Sequence, residues 1–434
     1  MQQVKLFHNK KPIYTDTAFQ DNKELPFHRW VNWIAGFSEL FVSEALKRHL
    51  PKGNNKSLIL DPFSGVGTTP VTAYLKGYST IGYEINAFPA FVANIKYRAI
   101  HDLDVKALKM SIDEFLSYMK GHKKHPSSKE PVGFKTRIPF YSPKVLAQVL
   151  HAWDFFETLK NNNLIYDIYR VAFSSVMVSF SNYSYEPSLG TRPGSGKSLI
   201  LDANVAEIIA TKLFQIHEDV SWARRMLINN AKFEIINQSF FHSNLDEESV
   251  DLLITSPPYL NNYHYIRNTR PQLFWLGFVQ SSTDLKHLEI GNYGKYWQTV
   301  RERNYKCSLS LKSPWLKQVI KEIGSVEKER DIYGGEGWAN YACEYFNDTV
   351  RFLQLAKHCL KKRSKAIIVI GNSVLKGIDV PTDKVFAYVA EELSFRKVKN
   401  IKVRNTRVGS SIVGSGVRTA GRKRLYESVV EIEK

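Results

Sequence analysis

Cysteines are few in this sequence and long apolar runs are missing, and both shortages narrow the protein classes to consider. The three cysteines among 434 residues, Cys307, Cys343 and Cys359, form no C-x-x-C pair. We therefore expect neither a zinc site nor a disulfide framework, and no metal. No stretch approaches the roughly 20 apolar residues that cross a bilayer. The opening M-Q-Q-V-K-L-F-H-N-K-K-P lacks the apolar centre of a signal peptide, which predicts a cytoplasmic protein with no membrane partner.

Acidic residues are also in short supply relative to basic ones. Asp and Glu number 42 and Lys and Arg number 60, which gives a net charge of +18. Such a surplus favours a polyanionic partner, because binding releases the partner's counterions. A basic enzyme without a polyanionic partner could have the same composition. Sequence motifs of a functional site are therefore needed to choose between these two interpretations.

Short apolar runs alternate with helical patterns in the first and last parts of the chain, which predicts an α/β fold. From about 101 to 230 the pattern is mostly helical, with apolar residues spaced three and four apart. A stretch rich in glycine and proline, 184–197, interrupts it and predicts a loop. Strands are predicted at 57–61, 79–84, 232–239, 250–255 and 365–372, with a closing hairpin at 395–403 and 427–433. The other predicted helices are 68–76, 87–99, 338–360 and 383–393.

The segment D-P-F-S-G-V-G-T-T, residues 61–69, joins a predicted strand to a predicted helix. Gly65 and Gly67 would let the backbone pass close under a ligand. No G-K-[ST] follows, and S-G-K-S at 195–198 lacks the earlier glycine of a phosphate loop, so neither is a phosphate site. Glu84 ends the next strand, where a carboxylate can accept hydrogen bonds from both ribose hydroxyls. Together these features predict a site for an adenosine-containing ligand without a phosphate cradle.

A second turn, T-S-P-P-Y at 255–259, directly follows the strand V-D-L-L-I-T. Its two prolines fix the backbone and remove N–H donors, so nearby carbonyls can accept from a ligand amine. The Ser256 hydroxyl can accept as well, and the Tyr259 ring is a flat surface on which a base can stack. A proline turn that merely ends a strand, with a packing tyrosine, is the alternative.

An exocyclic base amine is a poor nucleophile because its lone pair is delocalised into the ring. Acceptors such as the Ser256 hydroxyl and the Pro257 carbonyl would hold the amine hydrogens out of plane and direct the lone pair toward a methyl donor. The base must first leave the duplex stack. The two turns therefore favour methyl transfer to an amine, without a covalent enzyme intermediate.

Together, D-P-F-S-G-V-G-T-T and T-S-P-P-Y resemble the amino-methylating DNA methyltransferases, and the serine form of the second motif looks like the N4-cytosine branch. Adenine N6 enzymes more often carry Asp or Asn where Ser256 stands. Residues 27–42 resemble the family's extra N-terminal helix beside the cofactor. The resemblance implies a Rossmann-like methyltransferase with a mostly parallel sheet, a closing β-hairpin and a large helical insertion. It also implies S-adenosylmethionine as cofactor, double-stranded DNA as substrate and a paired restriction endonuclease. No cysteine follows a proline, so the cytosine C5 enzymes, which use a Pro-Cys nucleophile, are disfavoured.

Carried over residue by residue, the resemblance implies a cofactor site and a catalytic site. The cofactor residues would be Asp61, Pro62, Phe63, Ser64, Gly65, Gly67, Thr68, Thr69, Glu84 and Thr255. The catalytic residues would be Ser256, Pro257, Pro258 and Tyr259. The family usually has a Gly-Asp pair after the third strand, whose acid contacts the cofactor adenine, whereas this sequence has Gln238-Ser239. That contact is left open between Asn237 and Asp246.

Three segments compete for DNA contact, 184–197, 261–333 and 404–424, because Arg and Lys hold phosphates while Arg and Asn read base edges. The residues predicted to bind DNA are Arg267, Arg270, Arg404, Arg407, Arg418 and Arg422. We predict three parts of the chain. Residues 1–100 would carry the N-terminal helix and cofactor half, 101–230 an insertion suited to target recognition, and 231–434 the catalytic half.

Other functions remain open at this point. An adenine N6 methyltransferase of the same fold differs mainly at Ser256. A nucleic-acid-binding protein with a decayed methyltransferase fold is a different class, which the complete motifs disfavour. RNA is a further possible substrate, although no aromatic RNA-binding motif is visible.

Overall fold

A computed structural model describes residues 14, 17, 19–33, 36–51, 55–121, 125–185, 188–226, 230–260, 263–295, 300, 306–326, 337–375, 377–405 and 425–434. Its strands are β1 (Leu58–Asp61), β2 (Ser79–Tyr83), β3 (Tyr183–Tyr185), β4 (Leu189–Thr191), β5 (Phe233–Ile236), β6 (Val250–Thr255), β7 (Leu360–Gly371), β8 (Ser373–Leu375), β9 (Ile378–Val380), β10 (Lys397–Asn405) and β11 (Tyr426–Glu433).

The α-helices of the described residues are α1 (Glu39–His49), α2 (Thr68–Leu75), α3 (Ala87–Asp102), α4 (Val105–Gly121), α5 (Pro143–Thr158), α6 (Asn163–Val176), α7 (Val205–Met226), α8 (Tyr265–Asn268), α9 (Arg270–Trp275), α10 (Ser282–Ile290), α11 (Pro314–Val326), α12 (Trp338–Cys359) and α13 (Thr382–Glu392). Short 3-10 helices occupy Phe19–Lys23, His28–Trp30, Pro193–Ser195 and Phe240–His242. None of these helices is both long and apolar enough to cross a membrane.

Seven strands form the central sheet in the order β10-β11-β7-β6-β1-β2-β5. The five strands from β7 to β5 run parallel to one another, and β11 and β10 join antiparallel at one edge. The predicted α/β class, mostly parallel sheet and closing hairpin are thus confirmed. The observed strand and helix bounds fall close to the predicted ones, although β7 begins earlier, at Leu360.

The central strands are apolar on both faces because helices cover both sides of the sheet. Ile59, Leu252 and Ile367 point to one face, where they pack with α1. Their neighbours in sequence, Leu60 and Leu253, point to the other face and pack with α12 and α13. This alternation places the sheet between two layers of helices, with the ends of β1 and β6 side by side.

The stretch predicted to be helical, 101–230, contains α4 to α7, which share one core with α3. The predicted loop at 184–197 is more ordered than expected: Tyr183–Tyr185 and Leu189–Thr191 pair as an antiparallel hairpin. The part boundaries at 100 and 230 stay a prediction.

The predicted helix over 27–42 was wrong in its bounds, because among the described residues of that range only a 3-10 turn at His28–Trp30 and the start of α1 at Glu39 are helical. Asp219 on α7 explains the difference. Its carboxylate is buried and accepts hydrogen bonds from the Phe27 backbone N–H, the Arg29 guanidinium and the Trp30 indole N–H. These contacts hold the segment in a non-helical path, with Phe27 at a φ of 63°.

The expectation of no disulfide was also wrong, since Cys307 and Cys343 are bonded with their Cα atoms 6.0 Å apart. The two cysteines are 36 residues apart in sequence and come together because the segment after Cys307 packs along α12. On α12, the Asn340 side chain accepts from the Cys307 backbone N–H at 3.1 Å, and Asn347 accepts from that of Ser310 at 2.8 Å. Cys359 is buried and is a free thiol.

Candidate active site

The two predicted turns meet because β1 and β6 are adjacent parallel strands whose carboxyl ends lie at the same edge of the sheet. Ligands of open α/β sheets bind at that edge. Here it holds a cavity of about 1160 Å³. The first turn and β2 contribute Pro62, Phe63, Ser64, Gly65, Thr68 and Glu84 to its lining, and the second turn contributes Ser256, Pro258 and Tyr259.

Five other predicted residues are buried and do not belong to the cavity lining: Asp61, Gly67, Thr69, Thr255 and Pro257. Three of them join the two turns. The Thr255 hydroxyl donates to Asp61 Oδ1 at 2.6 Å, and the Thr69 hydroxyl donates to the Ile254 carbonyl at 3.3 Å. Among the described residues Asp61 Oδ2 has no hydrogen-bond partner, and burial raises the pKa of this carboxyl to about 6.

The Glu84 carboxylate is anchored at the rim of the glycine turn. Its two oxygens accept the backbone N–H groups of Gly65 at 2.9 Å and Asn86 at 2.8 Å. Burial raises the pKa of Glu84 to about 7, against the opposing effect of these two bonds. Gly65 has a φ of +51°, and a Cβ there would lie 3.0 Å from Trp33 Nε1. Only glycine therefore lets the turn pass beneath Trp33 without strain or crowding.

These residues fit S-adenosylmethionine on the evidence of the cavity itself. Glu84 brings a carboxylate, the kind of acceptor that ribose hydroxyls need, to the lining, and the turn at Gly65 leaves room that a side chain would fill. Rings of Trp33, Phe63 and Tyr293 line the same space, and aromatic faces attract a cation such as a sulfonium. Among the described residues, no group of His, Cys, Asp and Glu is arranged to hold a metal ion.

The Tyr259 ring is held on several sides. Its hydroxyl donates to Glu427 at 3.1 Å, and the Ser256 hydroxyl is hydrogen-bonded to it. Burial, with Glu427 nearby, raises the pKa of Tyr259 well above its ordinary value. Gly371 at the end of β7 lies under the ring, since a Cβ there would be 3.1 Å from a ring carbon. The Pro258 carbonyl accepts from the Tyr345 hydroxyl at 2.9 Å, which uses one of its two lone pairs.

The two candidates for the contact with the cofactor adenine, Asn237 and Asp246, do not line the cavity. Asn237 donates to the backbone carbonyls of Glu84 and Ile85 at 2.8 and 3.2 Å, and so supports the turn after β2. Asp246 is exposed and is not part of the lining. Gln238 and Ser239, which replace the family's Gly-Asp pair, do line the cavity.

The residues predicted to bind DNA differ in their exposure and in the side chains they contact. Arg267 is exposed on α8, while Arg270 donates to the Lys135 carbonyl at 2.8 Å and stacks near Phe274. Arg404 is paired with Glu427, its Nε 2.7 Å from a carboxylate oxygen. The remaining three, Arg407, Arg418 and Arg422, lie outside the described residues.

Several lining residues had no signal in the sequence. Phe37, Tyr293 and Lys295 reach the cavity from separate segments, and none stands in a motif. Glu427 was predicted only as part of a strand, yet its carboxylate accepts from Tyr259, from Arg404 and from the Thr17 hydroxyl at 2.6 Å.

Comparison with known proteins gives relatives along most of the chain. Type II methyltransferase M.BsoBI of Geobacillus stearothermophilus is 25% identical over 431 residues, which cover 88% of this chain and 81% of that protein. Type II methyltransferase M.AvaI of Nostoc sp. is 24% identical, with 88% and 82% covered. Type II methyltransferase M.MjaII of Methanocaldococcus jannaschii is 30% identical over 25% of this chain. No model of a protein family matches the sequence. The relatives confirm the resemblance to amino-methylating DNA methyltransferases and, with the fold, the cofactor S-adenosylmethionine.

Proposed function

We propose that this chain is a site-specific DNA methyltransferase that modifies the N4 amine of a cytosine turned out of the duplex. The observation that carries the proposal is a single cavity lined by both Glu84 with the glycine turn and the S-P-P-Y turn. The matching type II methyltransferases support a modification enzyme that protects DNA beside a restriction endonuclease.

When bound, S-adenosylmethionine supplies an electrophilic methyl group on a positively charged sulfur. The residues of the first turn bind and orient it: Glu84 accepts from the ribose hydroxyls, and Gly65 permits the backbone to approach. The rings of Trp33 and Phe63 favour the positive charge and keep water from the reacting atoms.

The residues of the second turn bind the base. The acceptors of this turn that line the cavity are the Ser256 hydroxyl and the Pro258 carbonyl, which keeps a second lone pair beside the bond from Tyr345, whereas Pro257 lies outside the lining. Tyr259 stacks on the base, and its bond to Glu427 fixes the ring. The two acceptors would direct the lone pair of the amine nitrogen toward the methyl group that the bound cofactor supplies. The proton lost from nitrogen has a hydrogen-bonded path from Ser256 through Tyr259 to Glu427.

Sequencing that reports modified bases, in DNA from cells expressing the protein, tests the proposal. We expect N4-methylcytosine at one fixed position of one short motif. The Glu84→Ala variant, expressed at the same level, should leave that motif unmodified. Detection of N6-methyladenine in place of N4-methylcytosine would mean that adenine, not cytosine, is the base that receives the methyl group. DNA without any modification would overturn the proposed function.

A basic hollow beside the active site supports DNA as the substrate. Lys135, Arg137 and Arg267 line it and are exposed, and strand β4 contributes Leu189–Thr191 to the same lining. The insertion and the catalytic half thus contribute cations to one surface, which suits the DNA backbone.

Replacing Lys135, Arg137 and Arg267 with glutamine should reduce the salt dependence of DNA binding. Each lost phosphate contact lowers the slope of log affinity against log salt by about 0.9, so the triple variant should lose between about 2 and 3. Fluorescence anisotropy over a series of salt concentrations measures it. The control replaces Lys106, Lys109 and Lys120, exposed on α4, which do not line the hollow. Equal slopes for both variants would remove the hollow from the interface.

A further inference from the structure

A second cavity, of about 490 Å³, lies against the first. The two cavities share Trp33, Tyr263 and Tyr265 as walls. Tyr185 from the β3–β4 hairpin and Phe88 from α3 contribute further rings to the second cavity. Flat rings on several sides suit a planar ligand, and the shared walls put its entrance beside that of the active site.

Two buried side-chain amides lie in the wall of this cavity, Asn268 at 3% and Gln272 at 6% exposure. The Asn268 carbonyl oxygen accepts the Leu189 backbone N–H at 2.7 Å. The Gln272 amide nitrogen lies 3.4 Å from the Ser174 carbonyl oxygen and 3.3 Å from the Tyr185 hydroxyl oxygen. These contacts determine which end of each amide is which.

The other ends, Asn268 Nδ2 and Gln272 Oε1, have no hydrogen-bond partner among the described residues. Buried polar atoms are nearly always paired in folded proteins, so one unused donor and one unused acceptor in the wall of the same cavity indicate a ligand. The two residues are four apart in sequence, on the consecutive short helices α8 and α9, and both line this cavity.

An acceptor next to a donor is the complement of this pair. Every DNA base presents that arrangement on its pairing edge, cytosine and adenine with a ring nitrogen and an amine, guanine and thymine with a carbonyl oxygen and a ring N–H. A base whose amine is held by Gln272 cannot offer the same amine to Ser256, which lines only the first cavity. The occupant is therefore a different base from the one that receives the methyl group.

We propose that the second cavity binds a second unstacked base of the same DNA between its aromatic rings and the amides of Asn268 and Gln272. The inference rests on the proposed function. If it holds, the enzyme unstacks DNA at two positions, one on each side of the wall between the cavities. It methylates the base at one position and recognises the base at the other without modifying it.

Abasic substitution, one position at a time, in a duplex that carries the recognition motif tests the proposal. At one position other than the methylated base, loss of the base should weaken binding by about tenfold, as loss of a stacked base does. In the Gln272→Met variant the intact duplex should bind more weakly, and the same abasic substitution should then have little further effect. Asn268→Asp keeps an acceptor for Leu189 and replaces the free donor, so it should give the same result.

The control is Ser175→Ala, whose hydroxyl donates to the Ala172 carbonyl although the residue lines the same cavity. It should keep the full abasic effect, and all variants should keep wild-type unfolding temperatures and cofactor binding. If the variants reduce the abasic effect only at the methylated position, the cavity binds the target base. If they reduce it at no position, the amides bind water alone. Either result overturns the inference while methylation itself persists. A protein that neither binds nor methylates DNA would instead overturn the proposed function.

Discussion

Replacing Ser256 with alanine should lower the methylation rate about 100- to 1,000-fold, with the dissociation constant of S-adenosylmethionine almost unchanged. The serine hydroxyl is one of two acceptors of the second turn that line the cavity, the other being the Pro258 carbonyl. Its contribution grows as the amine hydrogens turn out of the base plane, so its loss affects the transition state more than the bound substrate. Single-turnover methylation of a motif-bearing duplex measures the rate, and calorimetry measures cofactor binding.

Ser239→Ala is the matched control for this experiment. Ser239 lines the same cavity, but its hydroxyl donates to the Gly291 carbonyl at 3.1 Å and so is not directed to the base. We expect its rate to stay close to that of the unaltered protein. Equal rates for Ser256→Ala and Ser239→Ala would mean that the serine hydroxyl does not hold the amine.

Replacing Glu84 with alanine should weaken cofactor binding about 100-fold, because hydrogen bonds to a charged group contribute about 1.5–3 kcal/mol each. Two ribose hydroxyls would lose their acceptor, and the backbone N–H groups of Gly65 and Asn86 would lose theirs. Calorimetric titration with S-adenosylmethionine measures the dissociation constant. A value equal to that of the unaltered protein would remove Glu84 from the site.

The pH dependence of binding gives an independent control. The free folded protein holds a proton on Glu84 up to a pKa of about 7, above the ordinary value of 4.5, so ionisation of Glu84 destabilises the fold as pH rises between these values. Ribose hydroxyls donate to the ionised form, so cofactor affinity should rise with pH toward about 7 and then level off. Glu84→Gln should bind more weakly and lack that rise. A rise of equal size in Glu84→Gln would assign it to another group.

The parts of the fold that could be predicted are those whose signals are local. The strands β1 and β6 are short apolar runs that end at recognisable turns, and the parallel sheet then brings those turns together. The path of 27–30 could not be predicted, because it depends on Asp219, far along the chain. The Cys307–Cys343 bond depends on how one segment packs along α12.

The second cavity could not be predicted from the sequence for the same reason. Its wall combines Trp33, Tyr185 and Gln272, which come from three distant segments, and none belongs to a motif. The unpaired amide atoms become visible only when the bonds of their other ends are known. The sequence motifs identify the atoms that take part in the chemistry, whereas the binding of neighbouring bases depends on packing.

The strand order has a consequence for the synthesis of the chain on the ribosome. β1 lies between β2 and β6, so one edge of β1 stays unpaired until Val250–Thr255 has been made, long after Leu58–Asp61 has emerged. Each helix of the insertion makes its backbone hydrogen bonds within itself and can form during that interval, because local contacts form fastest. A nascent chain stalled inside the insertion would therefore expose an apolar strand edge, the kind of surface that chaperones bind and that aggregates form on.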